Sequence, residues 1–187
     1  AELSIGARDA WLWQLRVQLF GFRLACLADC PTCAAPLQFE LDARQVAQRT
    51  GDSAVGSHEL DAAGFQIRFR ALTSGDLLEA ERRGDAAAIR QRLVEQAILA
   101  CHCGKDSVAV SELPTDVIEA VGRRLGEVDG AELLLDLRCA ACEDAWQEPF
   151  DILSYLWSEL SGYATRLLHE VHVLAWAYGW SEADILS

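Results

Sequence analysis

The 187-residue chain contains no methionine, so no initiator is present and the chain is expected to be a trimmed piece of something longer. Its last residues point the same way. Ser181 and Asp184 have capping-box spacing, opening a helix that runs out after one turn, too short to be stable alone. Long apolar runs are missing too: the longest, 173–178, falls far short of the roughly 20 residues a membrane span needs. The start, Ala-Glu-Leu-Ser-Ile-Gly, has neither a basic opening nor an apolar signal core, which argues for cytoplasmic synthesis. Basic clusters are lacking as well. Sixteen Lys and Arg stand against 29 Asp and Glu, a net charge of −13, and the densest basic groups are pairs such as Arg82-Arg83 and Arg123-Arg124. A field of that sign repels phosphate, so nucleic acid is disfavoured as the main ligand. There is no Gly-x-Ser-x-Gly elbow, Walker loop or dinucleotide loop, and with them goes the usual hardware of nucleophilic, phosphoryl and hydride chemistry.

What is present supports a folded protein. Apolar residues make up 51% and charged residues 24%, a balance that lets one compact domain or two small ones bury a core. The patterning predicts an α+β fold, predominantly helical. A first helix starts near residue 7 and ends near Gly21 or Leu27; a tight turn follows at Cys30-Pro31-Thr32-Cys33, then a strand over 37–41. The glycines of 50–64 predict a loop, and alternation predicts a strand over 65–70. Helices are expected over 75–83 and 86–100, and from Pro114-Thr115-Asp116 to about residue 127, before a turn at 128–130. A strand over 133–138 enters Cys139-Ala140-Ala141-Cys142 and returns antiparallel over 145–148. From Pro149, placed in the first turn, to Gly179 as C-cap, a 3.6-residue period predicts one long helix. No internal repeat longer than the paired Cys-x-x-Cys turns is visible.

Seven cysteines are many for a cytosolic chain, and four form two Cys-x-x-Cys turns, Cys30/Cys33 and Cys139/Cys142, each beside a predicted strand. Together two such turns offer four thiolates in tetrahedral array, the closed geometry of structural Zn2+. The alternatives are two disulfides, disfavoured in a reducing compartment, or reduced cysteines filling core space. The zinc-ribbon-like element is then built from 1–41 and 131–187, with 42–130 as an inserted α/β subdomain. Cys101-His102-Cys103 is a third group with ligand chemistry; its plainer reading is a helix end. Cys26 is expected on the apolar face of the first helix. His169 and His172 stand at i and i+3 around Glu170, not at the i and i+4 of zinc peptidases, and lack an obvious third ligand. Redox use of a Cys-x-x-Cys has only Pro31 as a hint. Trp146, Trp157, Trp176 and Trp180 crowd the last third, and Tyr155 and Trp176 fall off the apolar stripe, which suits either a partner or a second core face.

Five elements carry a family resemblance: Leu19-Phe20-Gly21-Phe22-Arg23-Leu24 into Ala28-Asp29-Cys30-Pro31-Thr32-Cys33; Leu72-Thr73-Ser74-Gly75-Asp76-Leu77; Leu137-Arg138-Cys139-Ala140-Ala141-Cys142; Trp146 through Phe150-Asp151-Ile152 into Leu167-Leu168-His169-Glu170-Val171-His172; and Ala177-Tyr178-Gly179-Trp180-Ser181-Glu182. In these the chain resembles bacteriophage T4-type baseplate proteins of contractile tails and related injection systems. The resemblance covers most of the chain and is strongest from Leu137 onward. It implies a non-enzymatic structural or assembly protein with a zinc-ribbon-like module, made in a bacterial host's cytoplasm, incorporated in a phage-like particle or acting during its assembly. Its partners are then other baseplate or tail proteins, with no nucleic acid, membrane span or small-molecule substrate. The family's turns usually carry Gly after the second Cys, where this chain has Ala34 and Glu143, and Pro where it has Ala140. The competing readings are a zinc metalloenzyme using His169, Glu170 and His172, and a zinc-dependent nucleic-acid binder.

Overall fold

In the computed structural model, residues 3–47, 56–81, 85–129 and 133–187 are described, and they confirm an α+β protein. Helix α1 (Ile5–Phe20) opens at Ser4, whose hydroxyl accepts from the Ala7 amide, and closes at Gly21, which at φ +81° adopts a conformation costly for residues with a Cβ. Arg16 is 2% exposed and donates to the carbonyls of Gly21 (2.6 Å) and Arg23 (2.7 Å), fixing the chain's exit. Strand β1 (Arg23–Asp29) follows at once with Leu24 and Cys26 buried in alternation. Residues 23–27 are therefore not helical, and Cys26 belongs to a strand, because Gly21 stops the helix and period-two burial takes over. β1 pairs antiparallel with β2 (Pro36–Asp42), from Arg23 opposite Asp42 to Asp29 opposite Pro36, and short α2 (Ala43–Ala47) follows.

The middle of the chain builds a four-stranded antiparallel sheet from β3 (Ser57–Ala62), β4 (Phe65–Arg70), β5 (Ile98–Cys103) and β6 (Asp106–Ser107), in that order, with helices α3 (Ser74–Glu81), α4 (Ala86–Ala97) and α5 (Thr115–Asp129). β3 corrects the loop expected over 50–64, of which 50–55 lie outside the described residues. Leu60 is its single large apolar residue, so its ladder with β4 forms it rather than hydrophobic alternation. The expected break at residues 82–85 also lies mostly outside the described residues. α4 stops at Ala97, short of the expected residue 100. There β5 takes over, and a register shift at Arg68/Phe69 lets both Ile98 and Cys101 reach the interior. With Ile67, Phe69, Val94, Val117, Val121 and Leu125 they form the central apolar cluster. α5 runs through residue 128, where a turn was expected, to Asp129, whose carboxylate accepts from the Gly6 amide of α1 at 3.0 Å.

At α3, Asp76 accepts from the Thr73 amide (2.8 Å) while its own amide donates to Thr73 Oγ1 (3.3 Å), a reciprocal cap. Arg70 adds a two-pronged ion pair at 2.7 and 2.8 Å and, with the Thr73 bonds, holds the carboxyl at about 2. A depressed folded-state value stabilises above the unfolded value near 4 and is lost as pH falls towards 2. With Arg70 partly exposed, Asp76→Asn is expected to cost about 1–2 kcal/mol at pH 7 and almost nothing at pH 2. Urea midpoints at the two pH values check it; equal losses would mean the pair contributes nothing.

β7 (Leu133–Arg138) and β8 (Ala145–Phe150) form the last hairpin, Leu133 opposite Phe150 and Arg138 opposite Ala145. Pro149 lies in β8 rather than in the following helix, since Asp151 is the actual N-cap, accepting from the amides of Leu153 (2.9 Å) and Ser154 (3.3 Å). The chain divides into two compact units, Ala1–Phe150 and Asp151–Ser187. The second holds α6 (Ile152–Tyr178), closed by left-handed Gly179, and α7 (Glu182–Leu186) with the expected Ser181/Asp184 capping box.

Candidate metal centre

Each Cys-x-x-Cys sits at the tip of a hairpin, and the two tips are built alike. The Cys30 amide donates to Ala35 O (3.0 Å) and the Ala34 amide to Cys30 O (2.9 Å); the Cys139 amide donates to Asp144 O (2.8 Å) and the Glu143 amide to Cys139 O (3.0 Å). The first cysteine of each turn is buried and the second exposed. The correspondence extends further, Gln38 matching Gln147 and Asp42 matching Asp151. Each aspartate accepts from the amide two residues on, that of Arg44 or Leu153, at 2.9 Å. The chain therefore contains a repeat longer than the paired turns, hidden because its shared content is backbone geometry and only a few side chains coincide.

Ala34 (φ +55°) and Glu143 (φ +62°), each next after the second cysteine of its turn, occupy left-handed conformations, which glycine adopts without strain. The left-handed region costs a residue with a Cβ about 1–2 kcal/mol. Ala34→Gly and Glu143→Gly are each expected to raise stability in denaturant melts by up to about 1 kcal/mol, the relieved strain exceeding glycine's added unfolded-state entropy. A fall in stability would show that neither residue is strained.

The tips bring the four thiols together. Cys30 Sγ lies 3.6 Å from Cys142 Sγ, Cys33 Sγ lies 3.6 Å from Cys139 Sγ, and all four sulfurs fall within 4.8 Å of one another. A metal–sulfur bond of about 2.3 Å in a tetrahedron implies sulfur–sulfur edges of about 3.8 Å, so the set fits a tetrahedral ion. Disulfides need about 2.05 Å, and all seven cysteines are free. Core filling fails as well, because Cys33 and Cys142 are exposed. Thr32 donates to Asp144 across the gap, linking the turns directly.

Crowding divides the thiols. Cys139 is drawn down to about 6 by the backbone amides of Cys142 and Ala141, with thiol hydrogen bonds adding to the effect. The Asp144 amide favours the Cys142 thiolate, yet its hydrogen bonds with Cys33, Cys139 and Cys30, together with desolvation, push it up to about 12. At Cys33 the Ala35 amide and Cys142 favour the thiolate, but Cys139, desolvation and Cys30 outweigh them and raise it. The Cys139 thiolate forms readily, while Cys33 and Cys142 resist following. A cation relieves that conflict.

The other candidate ligands are not gathered. Cys101 is buried in the sheet core, its thiol raised chiefly by desolvation, while His102 and Cys103 are exposed on β5, a strand rather than a helix end. His169, Glu170 and His172 are exposed on α6. Among the described residues the four-cysteine cluster is the one group of three or more His, Cys, Asp or Glu placed to hold a metal. No helix among them is long and apolar enough to cross a membrane. No family model, curated protein or solved structure matches the chain.

Proposed function

We propose that the chain is a non-enzymatic assembly protein whose two hairpins are stapled, in a zinc-ribbon-like arrangement, by one structural Zn2+ held by Cys30, Cys33, Cys139 and Cys142. The four-sulfur cluster carries this reading: four protein thiolates fill every position of a tetrahedral ion, leaving none for water or substrate. The ion's role is then to hold two distant stretches of chain together. The motif resemblance supplies the setting, a phage-like contractile tail baseplate made in a bacterial cytoplasm, with other baseplate or tail proteins as partners.

The surface for such a partner is the aromatic side of α6 away from its main apolar stripe, where Trp176 is 84% exposed and Tyr155 half-buried. Exposed tryptophan and tyrosine are the side chains that most often anchor interfaces. Replacing Tyr155 and Trp176 with Ser is expected to weaken tail assembly about tenfold or more while changing the melting temperature little. An early melt, with the folded fraction still assembling normally, would place both residues in the core and the interface elsewhere.

A further inference from the structure

Leucine recurs every seven residues along α6, at Leu153, Leu160, Leu167 and Leu174. Four residues after each leucine stand Trp157, Ala164, Val171 and Tyr178, so the two sets interleave at alternating spacings of four and three. That is a heptad with leucine at every d position. A straight helix drifts roughly 20° per heptad from such a repeat, and the seam stays continuous only when the helix winds around another. Most of the seam is open: Leu153 is 43% exposed, Leu167 40%, Trp157 70% and Tyr178 65%, residues 161–170 are exposed throughout, and Leu160, Val171 and Leu174 are half-buried.

Charge narrows the choice of occupant. Coiled-coil partners of different sequence are selected by opposite charges at the e and g positions flanking the seam. Through these four heptads the flanks are Ser, Leu, Tyr and Ala, with Glu170 the sole charged residue. No code for a charged partner is written there. The same neutrality lets two chains of net charge −13 meet along this face without opposing like charges. We infer that α6 pairs with α6 of a second copy as a two-stranded coiled coil, Leu153, Leu160, Leu167 and Leu174 forming the d layers. The inference is separate from the metal and leaves Trp176, at an f position, on the outside for another protein.

Sedimentation equilibrium of the zinc-loaded full chain tests it. The expected mass is twice the 20.5 kDa chain mass at tens of micromolar. The double variant Leu160→Glu, Leu167→Glu is expected to run as a monomer, its dissociation constant raised at least 100-fold, with circular dichroism and zinc content unchanged. Trp176→Ser is expected to remain a dimer. A monomeric parent at 100 µM overturns the inference, and so does a dimer that survives both leucine substitutions. Loss of zinc binding with the dimer retained would sink the metal reading alone.

Discussion

Cys139→Ser is expected to abolish zinc binding and most of the soluble yield together. The first cysteine of its turn, it lies 3.6 Å from Cys33 Sγ, and backbone amides hold its thiol well below the usual range. Structural zinc contributes about 10–16 kcal/mol apparent, against a net stability of roughly 5–15 kcal/mol for a whole domain. Few folds withstand losing that. Serine at Cys30, Cys33 or Cys142 is expected to act the same way. Cys26→Ser, and the pair His169→Gln with His172→Gln, should leave zinc at one equivalent per chain. Chelation of the parent protein should lower hydrogen-exchange protection around residues 28–41 and 133–148 first, while α6 persists. Elemental analysis decides the matter: a well-folded purified chain without metal, or occupancy that follows Cys101 and Cys103, means the ligand assignment is wrong.

Phe69→Ala is expected to cost about 3–5 kcal/mol. Phe69 is 0% exposed at the centre of the cluster formed by β4, β5, α4 and α5, where its removal leaves a cavity that the sheet's hydrogen-bond ladder resists closing. The loss should appear as a lower urea midpoint with zinc content intact, since no ligand comes from that cluster. A loss under about 1 kcal/mol would mean that the surrounding helices collapse into the space.

The parts of the fold legible in the sequence were those set by local pattern. β2, β4, β7 and β8 alternate, α5 and α6 keep helical spacing, and the caps at Ser181 and Gly179 follow from residue type. Long-range pairing set the rest. β3 is polar and exists through its ladder with β4; β5 blurs its alternation with a bulge; Pro149 reads as a helix start until Asp151 is seen to cap. The four clustered cysteines stood out because each Cys-x-x-Cys is local, whereas the repeat around them, and the left-handed Ala34 and Glu143, are properties of backbone shape. Neither alanine nor glutamate is a residue type that announces a left-handed backbone.

The two tips also set an order of events. Each hairpin closes a six-residue turn, Cys30–Ala35 or Cys139–Asp144, and can form within microseconds, so two half-sites of two thiols each exist early. Their meeting spans roughly a hundred residues and waits on the intervening sheet and helices, the high-contact-order part of the molecule. If the cluster holds the proposed ion, its capture by all four sulfurs comes late. Until then the nascent chain carries two separate, incomplete thiol pairs, open to oxidants and to softer competing ions. How long that interval lasts is governed by the folding rate of residues that lie outside the cluster.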